Sequence, residues 1–177
     1  MSARTERFLF ASVPDSWGVL DYPGPSWDQS YEKMLDEMVE AGYAGTELGP
    51  YGFFPTEPIL LRPHLAKRNL SLLGSFVPVQ MADPASGKVA LERIRKVGQL
   101  LADLKAPFLV LADDQSPERN AFSGRVYDRA CPVLSADQWR HVGKIVADAR
   151  SKPNSLATLS AGCGAAATRY CSSHSIE

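Results

Sequence analysis

The feature that most constrains the fold of this chain is a regular alternation of strand-like and helix-like segments. Apolar runs at 8–13, 43–48, 70–77 and 108–111 predict strands, and a segment with helical periodicity follows each of them. This alternation implies a parallel sheet with right-handed crossovers. An open doubly wound sheet and a piece of a (β/α)8 barrel both fit the pattern, and periodicity does not choose between them.

Two of the helices have clear start signals. Ser26 with Gln29, and Ser135 with Gln138, have the spacing of a capping box, in which each side chain bonds the other's backbone amide. Gly42 is placed where a helix ends in a left-handed cap. The apolar face of the first helix is predicted to consist of Tyr31, Met34, Leu35, Met38 and Val39.

The remaining elements have weaker signals. Thr56 is predicted to cap a second helix that has Pro58 in its first turn. Pro78 is expected to end the third strand, and residues 87–104 are expected to form a third helix. Residues 112–134 are predicted to be a long polar loop.

Length and composition indicate one globular domain. The chain has 177 residues, 45% of them hydrophobic and 22% charged, whereas a complete barrel needs about 250 residues. The net charge of -1 gives no general attraction to nucleic acid or anionic lipid. Neither a transmembrane run nor a secretory signal is recognisable, and we therefore expect a cytoplasmic protein with no nucleic-acid or membrane partner.

The pattern changes at Ser151. Residues 151–177 are rich in Ser, Ala, Thr and Gly, and no fifth strand is predicted there. We expect an irregular or disordered tail, as a shifted reading frame or a retained intron would give; a flexible interaction segment is the alternative. The predicted organisation is an N-terminal extension at 1–7, an α/β region at 8–150 and this tail.

Cysteine and histidine patterns do not indicate a metal site. The three cysteines include no Cys-x-x-Cys pair and are expected to be free thiols. His64 and His141 fall on predicted helices and are expected to be solvated or to pack between helices. Phosphate-binding loops, dinucleotide fingerprints, His-Glu-x-x-His and nucleophile elbows are all lacking.

Candidate site residues follow the strands, because ligands of parallel α/β folds bind at the carboxyl ends of the strands. Asp15 and Trp17 follow the first strand and offer a carboxylate beside an apolar ring, which suits a polyol. Glu47 ends the second strand, where a carboxylate is costly to desolvate. Asp113 and Asp114 follow the fourth and could hold a cation, and Asp113 is also expected to bind the substrate. A turn, cap, lid or ion-pair role is the structural alternative for each.

Asp15, Trp17 and Glu47 lie in segments that resemble a known family. Three segments carry the resemblance: Pro14-Asp15-Ser16-Trp17-Gly18-Val19, Leu35-Asp36-Glu37-Met38 and Gly42-Tyr43-Ala44-Gly45-Thr46-Glu47-Leu48-Gly49-Pro50. They resemble the inosose dehydratases, which belong to the xylose isomerase-like barrel superfamily of sugar isomerases and epimerases. The resemblance covers about residues 8–150, the N-terminal half of such a barrel.

The resemblance implies a partial (β/α)8 barrel of about four β-α units and a role in inositol catabolism. It implies a divalent metal (Mn²⁺, Co²⁺ or Mg²⁺) that polarises a ketose or polyol oxygen while a carboxylate moves a proton. It also implies that Asp15, Trp17 and Glu47 line the substrate end. The metal ligands and acid-base carboxylates of the superfamily come mainly from the second half of the barrel. We therefore expect this truncated chain to bind no metal and to be inactive alone.

Two alternatives stay open at this point. The chain could be a non-catalytic half-barrel that forms a homodimer, or pairs with another partner, through an open sheet edge. It could also be a metal-dependent nuclease, since abasic-site endonucleases share the superfamily. The balanced charge counts against the nuclease.

Overall fold

The fold is taken from a computed structural model that describes residues 8–20, 27–125, 130–150 and 158–161. The strands are β1 Ala11–Ser12, β2 Gly45–Glu47, β3 Ser71–Val79, β4 Phe108–Asp113 and β5 Thr158–Ala161. The helices are α1 Tyr31–Glu40, α2 Pro58–Ala66, α3 Gly87–Asp103, α4 Pro117–Asn120 and α5 Ala136–Arg150. Two 3₁₀ turns lie at Pro14–Trp17 and Pro84–Ser86. Within the described residues no helix is long and apolar enough to cross a membrane.

The strands of the described residues form one sheet in chain order, β1-β2-β3-β4-β5. The pairs β1/β2 and β2/β3 are parallel. Gly74 lies against Phe108, and the amide of Asp114 donates to the carbonyl of Val79 at 2.9 Å, so β3 and β4 run in the same direction. The predicted α/β fold with a parallel sheet is confirmed. Uninterrupted chain order is the order of a (β/α)8 barrel, whereas a doubly wound sheet reverses its order at a switch point.

The chain divides into two units. The first comprises Met1–Ser75 with Leu100–Phe108, and the second comprises Phe76–Gln99 with Leu109–Glu177. In the first unit α1 buries three of the residues predicted to face inward, Met34, Leu35 and Met38, and α2 buries Leu61 and Leu65. Removing these side chains from water is the main stabilising contribution to the unit.

The second unit has its own apolar centre. Its fully buried large side chains come from β3, α3, β4 and α5: Val77, Ile94, Leu109 and Ile145. Near the start of α3, a Cβ added at Gly87 would lie 3.1 Å from Cε1 of His141, so the absence of a side chain at position 87 lets α5 approach closely.

The helix start signals have mixed outcomes. The amide of Ser135 donates to Oε1 of Gln138 at 2.9 Å, and the amide of Gln138 donates to Oγ of Ser135 at 3.2 Å, which confirms that capping box. The other box is wrong: α1 begins at Tyr31, and Ser30 caps it. Ser26 lies outside the described residues. Ser26 and Ser30 are both suitable N-cap residues by sequence, and α1 uses Ser30, which is closer to its apolar face.

Other boundaries also differ from the predictions. Glu57, not Thr56, precedes α2 and makes no side-chain cap bond. Pro78 does not end β3, because proline removes only one amide donor and a strand continues where the ladder does not need that donor. The predicted loop at 112–134 contains the short helix α4. Val39, predicted to face inward, is 41% exposed.

The segment after Arg150 contains one further correction. The sequence predicts no fifth strand, but β5 occupies Thr158–Ala161 and follows β4 in the sheet. Strand pairing is a long-range interaction, and a short segment of weak propensity adopts it when a neighbouring strand supplies the partners. Residues 151–157 and 162–177 lie outside the described residues, and the prediction of an irregular tail stays a prediction there.

Candidate functional site

The loop after β1 is a short 3₁₀ turn that carries two of the candidate residues, Asp15 and Trp17. Its first residue, Pro14, has a fixed φ and no amide to satisfy. The amide of Ser16 donates to the carbonyl of Val13, and the amide of Gly18 donates to the carbonyl of Asp15, both at 3.0 Å. The turn therefore fixes the backbone of both candidate residues.

Gly49 brings the loop after β2 against this turn. Its φ is +63°, and a Cβ at this position would lie 2.7 Å from Cγ and 2.8 Å from Cβ of Pro14. A residue with a side chain would suffer both the left-handed strain and the collision. Glycine at position 49 therefore permits direct contact between the two loops, one of which carries Asp15 and the other of which follows Glu47.

Glu47 is the last residue of β2 and is half-buried. Burial raises the pKa of its carboxyl above the ordinary value, and the negative charge of Asp15 raises it further. Both effects disfavour the ionised form that the carboxyl has in water. A carboxyl held in this way, at the carboxyl end of a parallel strand, is a candidate for binding or proton transfer.

Trp17 is fixed by two contacts within the first unit. Its Nε1 donates to Oε2 of Glu37 at 2.9 Å. Its ring meets the ring of Tyr43 edge-to-face, with 6.0 Å between centroids and an interplanar angle of 72°. The indole is only half-buried, so part of its surface is accessible to a ligand. The sequence assigns no role to Glu37, because nothing local indicates a bond between residues 20 positions apart.

Asp113 lies in the second unit at the end of β4. Its Oδ1 accepts from the amides of Met81 at 2.8 Å and Ala82 at 3.3 Å, and its Oδ2 accepts from Nη1 of Arg119 at 2.7 Å. The carboxylate therefore ties the segment after β3 and helix α4 to the end of β4. A substrate-binding role for Asp113 stays a prediction.

His64 and His141 pack between helices, which is one of the two roles expected for them. Nε2 of His64 lies 3.3 Å from the hydroxyl of Tyr31, which joins α2 to α1. His141 lies on α5 against Gly87, and its Nε2 is buried without a hydrogen-bond partner in the described structure. Cys131 is a free thiol, and the other two cysteines lie outside the described residues.

The candidate carboxyls do not provide all the ligands that a divalent cation requires. Hard cations such as Mg²⁺ and Mn²⁺ take about six oxygen ligands. Asp15 and Glu47 provide two carboxyls that influence each other electrostatically. Among the residues that the structure describes, no three His, Cys, Asp or Glu side chains come together in a metal-binding group. The described residues therefore do not fit a complete metal site.

The chain is similar in sequence to several known proteins. No family model matches it. It is 30% identical over 159 residues to the inosose dehydratase of Lactiplantibacillus plantarum, which covers 83% of this chain and 50% of that protein. This chain is a homologue of the inosose dehydratases. The resemblance predicted from the sequence is thereby confirmed.

Two further similarities each cover more than three quarters of this chain and less than half of the matched protein. The chain is 30% identical over 135 residues to the rhizopine catabolism protein MocC of Rhizobium meliloti, covering 76% of this chain and 40% of that protein. A crystal structure of D-psicose 3-epimerase from Clostridium cellulolyticum H10 is similar over 78% of this chain and 48% of the epimerase chain, with 14% sequence identity and a TM-score of 0.43. The chain spans about half the length of the curated relatives it matches.

Proposed function

We propose that this chain forms the polyol- or ketose-binding half of an inosose dehydratase-like site. The observation that carries the proposal is Glu47, a half-buried carboxyl whose pKa is raised by burial and by Asp15 at the ends of two neighbouring parallel strands. Retaining such a group costs stability, and proteins retain it at sites where a ligand or a proton is handled. Homology to the inosose dehydratases supplies the substrate class.

The three residues of the proposed site, Asp15, Glu47 and Trp17, each offer a group that suits the binding of a polyol. Asp15 accepts hydrogen bonds from hydroxyl groups. Glu47 accepts hydrogen bonds from hydroxyl groups through its carboxyl oxygens, and it also donates one when it is protonated, a form that burial and Asp15 favour more than water does. Trp17 offers an apolar ring against which the C–H face of a cyclic polyol packs, and its Nε1–H is already satisfied by Glu37.

We further propose that the chain binds this ligand without converting it. Dehydration of a ketone polyol removes a proton from the carbon beside the carbonyl and expels a hydroxyl from the next carbon. The charge that develops on the carbonyl oxygen must be stabilised, and in the family that role is assigned to a divalent metal (Mn²⁺, Co²⁺ or Mg²⁺). Because the described residues do not form a metal-binding group, catalysis is proposed for a protein that contains the second half of the relatives' length.

The experiment is a binding and turnover assay with inosose. Saturation-transfer NMR on the purified 177-residue chain measures binding, and one-dimensional spectra over a long incubation measure conversion. We expect saturable binding, its loss in Glu47→Leu, its retention in the matched variant Glu40→Leu on the exposed side of α1, and no conversion. Equal binding by Glu47→Leu would contradict the site, and conversion by the unchanged chain would contradict the proposed inactivity.

A second candidate function, self-association, is favoured by one surface. Phe8, Leu9 and Phe10 are 82%, 77% and 68% exposed, and they lead into β1, the first strand of the sheet order. Consecutive exposed apolar residues beside an edge strand promote pairing between chains. Light scattering should then show a dimer that the triple variant Phe8→Ser, Leu9→Thr, Phe10→Ser abolishes. A monomer at all accessible concentrations would contradict this candidate.

A further inference from the structure

The carboxylate of Glu37, in the second turn of α1, holds the indole of Trp17. The bond from Nε1 to Oε2 measures 2.9 Å and is partly buried. Trp17 ends the 3₁₀ turn in which Asp15 also lies. This bond therefore fastens the turn after β1 to a helix that is distant from it in the sequence.

Glu37 itself is held in place by its neighbours. Nε2 of Gln29 lies 3.4 Å from the same Oε2, and Nζ of Lys33, one helical turn earlier, lies 3.7 Å from Oε1. Oε2 of the carboxylate thus accepts two hydrogen bonds, and Oε1 lies at ion-pair distance from a lysine. These contacts from three side chains restrain the position of the acceptor that holds the indole.

The indole is restrained at two separate points. The bond to Glu37 fixes the Nε1 edge, and the edge-to-face contact with Tyr43 restrains the ring. A single hydrogen bond would still leave the ring free to rotate about it. Two contacts in different directions select one side-chain rotamer, and they leave the half-buried ring with part of its surface accessible.

We propose that Glu37 is a positioning residue for the polyol site, acting through Trp17. This inference rests on the proposed function, because it takes the indole as the surface on which the polyol packs. Without Glu37 only the contact with Tyr43 restrains the indole, and the three staggered χ1 rotamers become accessible. If the three are equally populated and one is competent to bind, the apparent Kd rises about threefold, since it is the intrinsic Kd divided by the competent fraction.

The first test observes the hydrogen bond itself and needs no ligand. The chain is prepared with ¹⁵N-labelled tryptophan, and the indole N–H signal of Trp17 is assigned by its loss in Trp17→Phe. We expect slow exchange of this proton with water in the unchanged chain, in Glu37→Gln, which keeps an acceptor oxygen, and in the control Glu40→Ala. We expect fast exchange in Glu37→Ala. An equally protected proton in Glu37→Ala overturns the inference.

The second test measures the Kd for inosose by NMR titration. Glu37→Ala should weaken binding about threefold, Glu37→Gln should bind nearly as well as the unchanged chain, and Glu37→Ala should have no further effect in a Trp17→Phe background. Glu37→Leu, which fills the space of the glutamate, replaces Glu37→Ala if the smaller side chain prevents folding.

The outcomes separate the inference from the function on which it rests. A loss that persists in the Trp17→Phe background, or binding unaffected by Glu37→Ala, overturns the positioning role and leaves the proposed function intact. Absence of inosose binding by the unchanged chain overturns both.

Discussion

The contact between Gly49 and Pro14 makes a quantitative prediction for Gly49→Ala. A Cβ at position 49 would lie 2.7, 2.8 and 3.1 Å from Cγ, Cβ and Cδ of Pro14, and the residue has a φ of +63°. Left-handed backbone costs a residue with a side chain about 1–2 kcal/mol. Forcing a methyl group into a filled space costs about 1–3 kcal/mol more. We expect the free energy of unfolding to fall by about 3 kcal/mol.

The matched control is Gly42→Ala. Gly42 has a φ of +86°, but a Cβ there would meet nothing within 4 Å. This variant carries the backbone strain without the collision and should lose only about 1 kcal/mol. The lower entropy of the unfolded chain, which stabilises any Gly→Ala variant, affects both equally and cancels in the comparison. The difference of about 2 kcal/mol between Gly49→Ala and Gly42→Ala therefore measures the cost of the collision with Pro14.

Urea unfolding followed by circular dichroism measures both variants. In thermal scans Gly49→Ala should melt about 6–12 °C below the unchanged chain and Gly42→Ala about 2–4 °C below. Pro14→Ala removes two of the three colliding atoms. The loss of stability in the double variant Pro14→Ala, Gly49→Ala should therefore be smaller than the sum of the losses in the two single variants. If Gly49→Ala and Gly42→Ala are equally stable, the two loops do not touch as described and the geometry argued for Asp15 and Glu47 is wrong.

Three further predictions concern charge and capping. Folding raises the pKa of the Glu47 carboxyl above its ordinary value of 4.5. The folded state is therefore fully stable with respect to this group below pH 4.5, where the carboxyl is neutral, and it loses stability as the pH rises through the folded pKa and the carboxyl ionises. Glu47→Gln should therefore be more stable than the unchanged chain at pH 7 and no more stable near pH 4 in urea unfolding; a difference independent of pH would contradict this. Asp113→Ala leaves two backbone amides and an arginine without their acceptor, and its free energy of unfolding should fall by about 2 kcal/mol. The Asp114 carboxylate accepts from only one amide in the described structure, so Asp114→Ala should lose clearly less stability. Ser135→Ala removes one half of a capping box and should lose about 1 kcal/mol in the same assay; an unchanged midpoint would show that the cap contributes nothing.

The sequence determined those features that depend on neighbouring residues. The reciprocal bonds of Ser135 and Gln138 connect residues three apart, and the positive φ of Gly42 follows from its place after a helix. The alternation of apolar runs with helical periodicity fixed the α/β class, and the short motif around Glu47 was sufficient to indicate the family to which the homologues belong. The cytoplasmic location and the expected lack of nucleic-acid and membrane partners stay predictions.

Only the tertiary structure decided the contacts between distant segments. The bond from Trp17 to Glu37, the approach of Gly49 to Pro14 and the pairing of β5 after β4 each join positions that no local pattern relates. Strand order also required the fold, because periodicity reports which residues are apolar and does not report which strand lies beside which. The physical reason is the same in every case: helix and turn preferences depend on a few consecutive residues, whereas the site depends on which segments the packed core brings together.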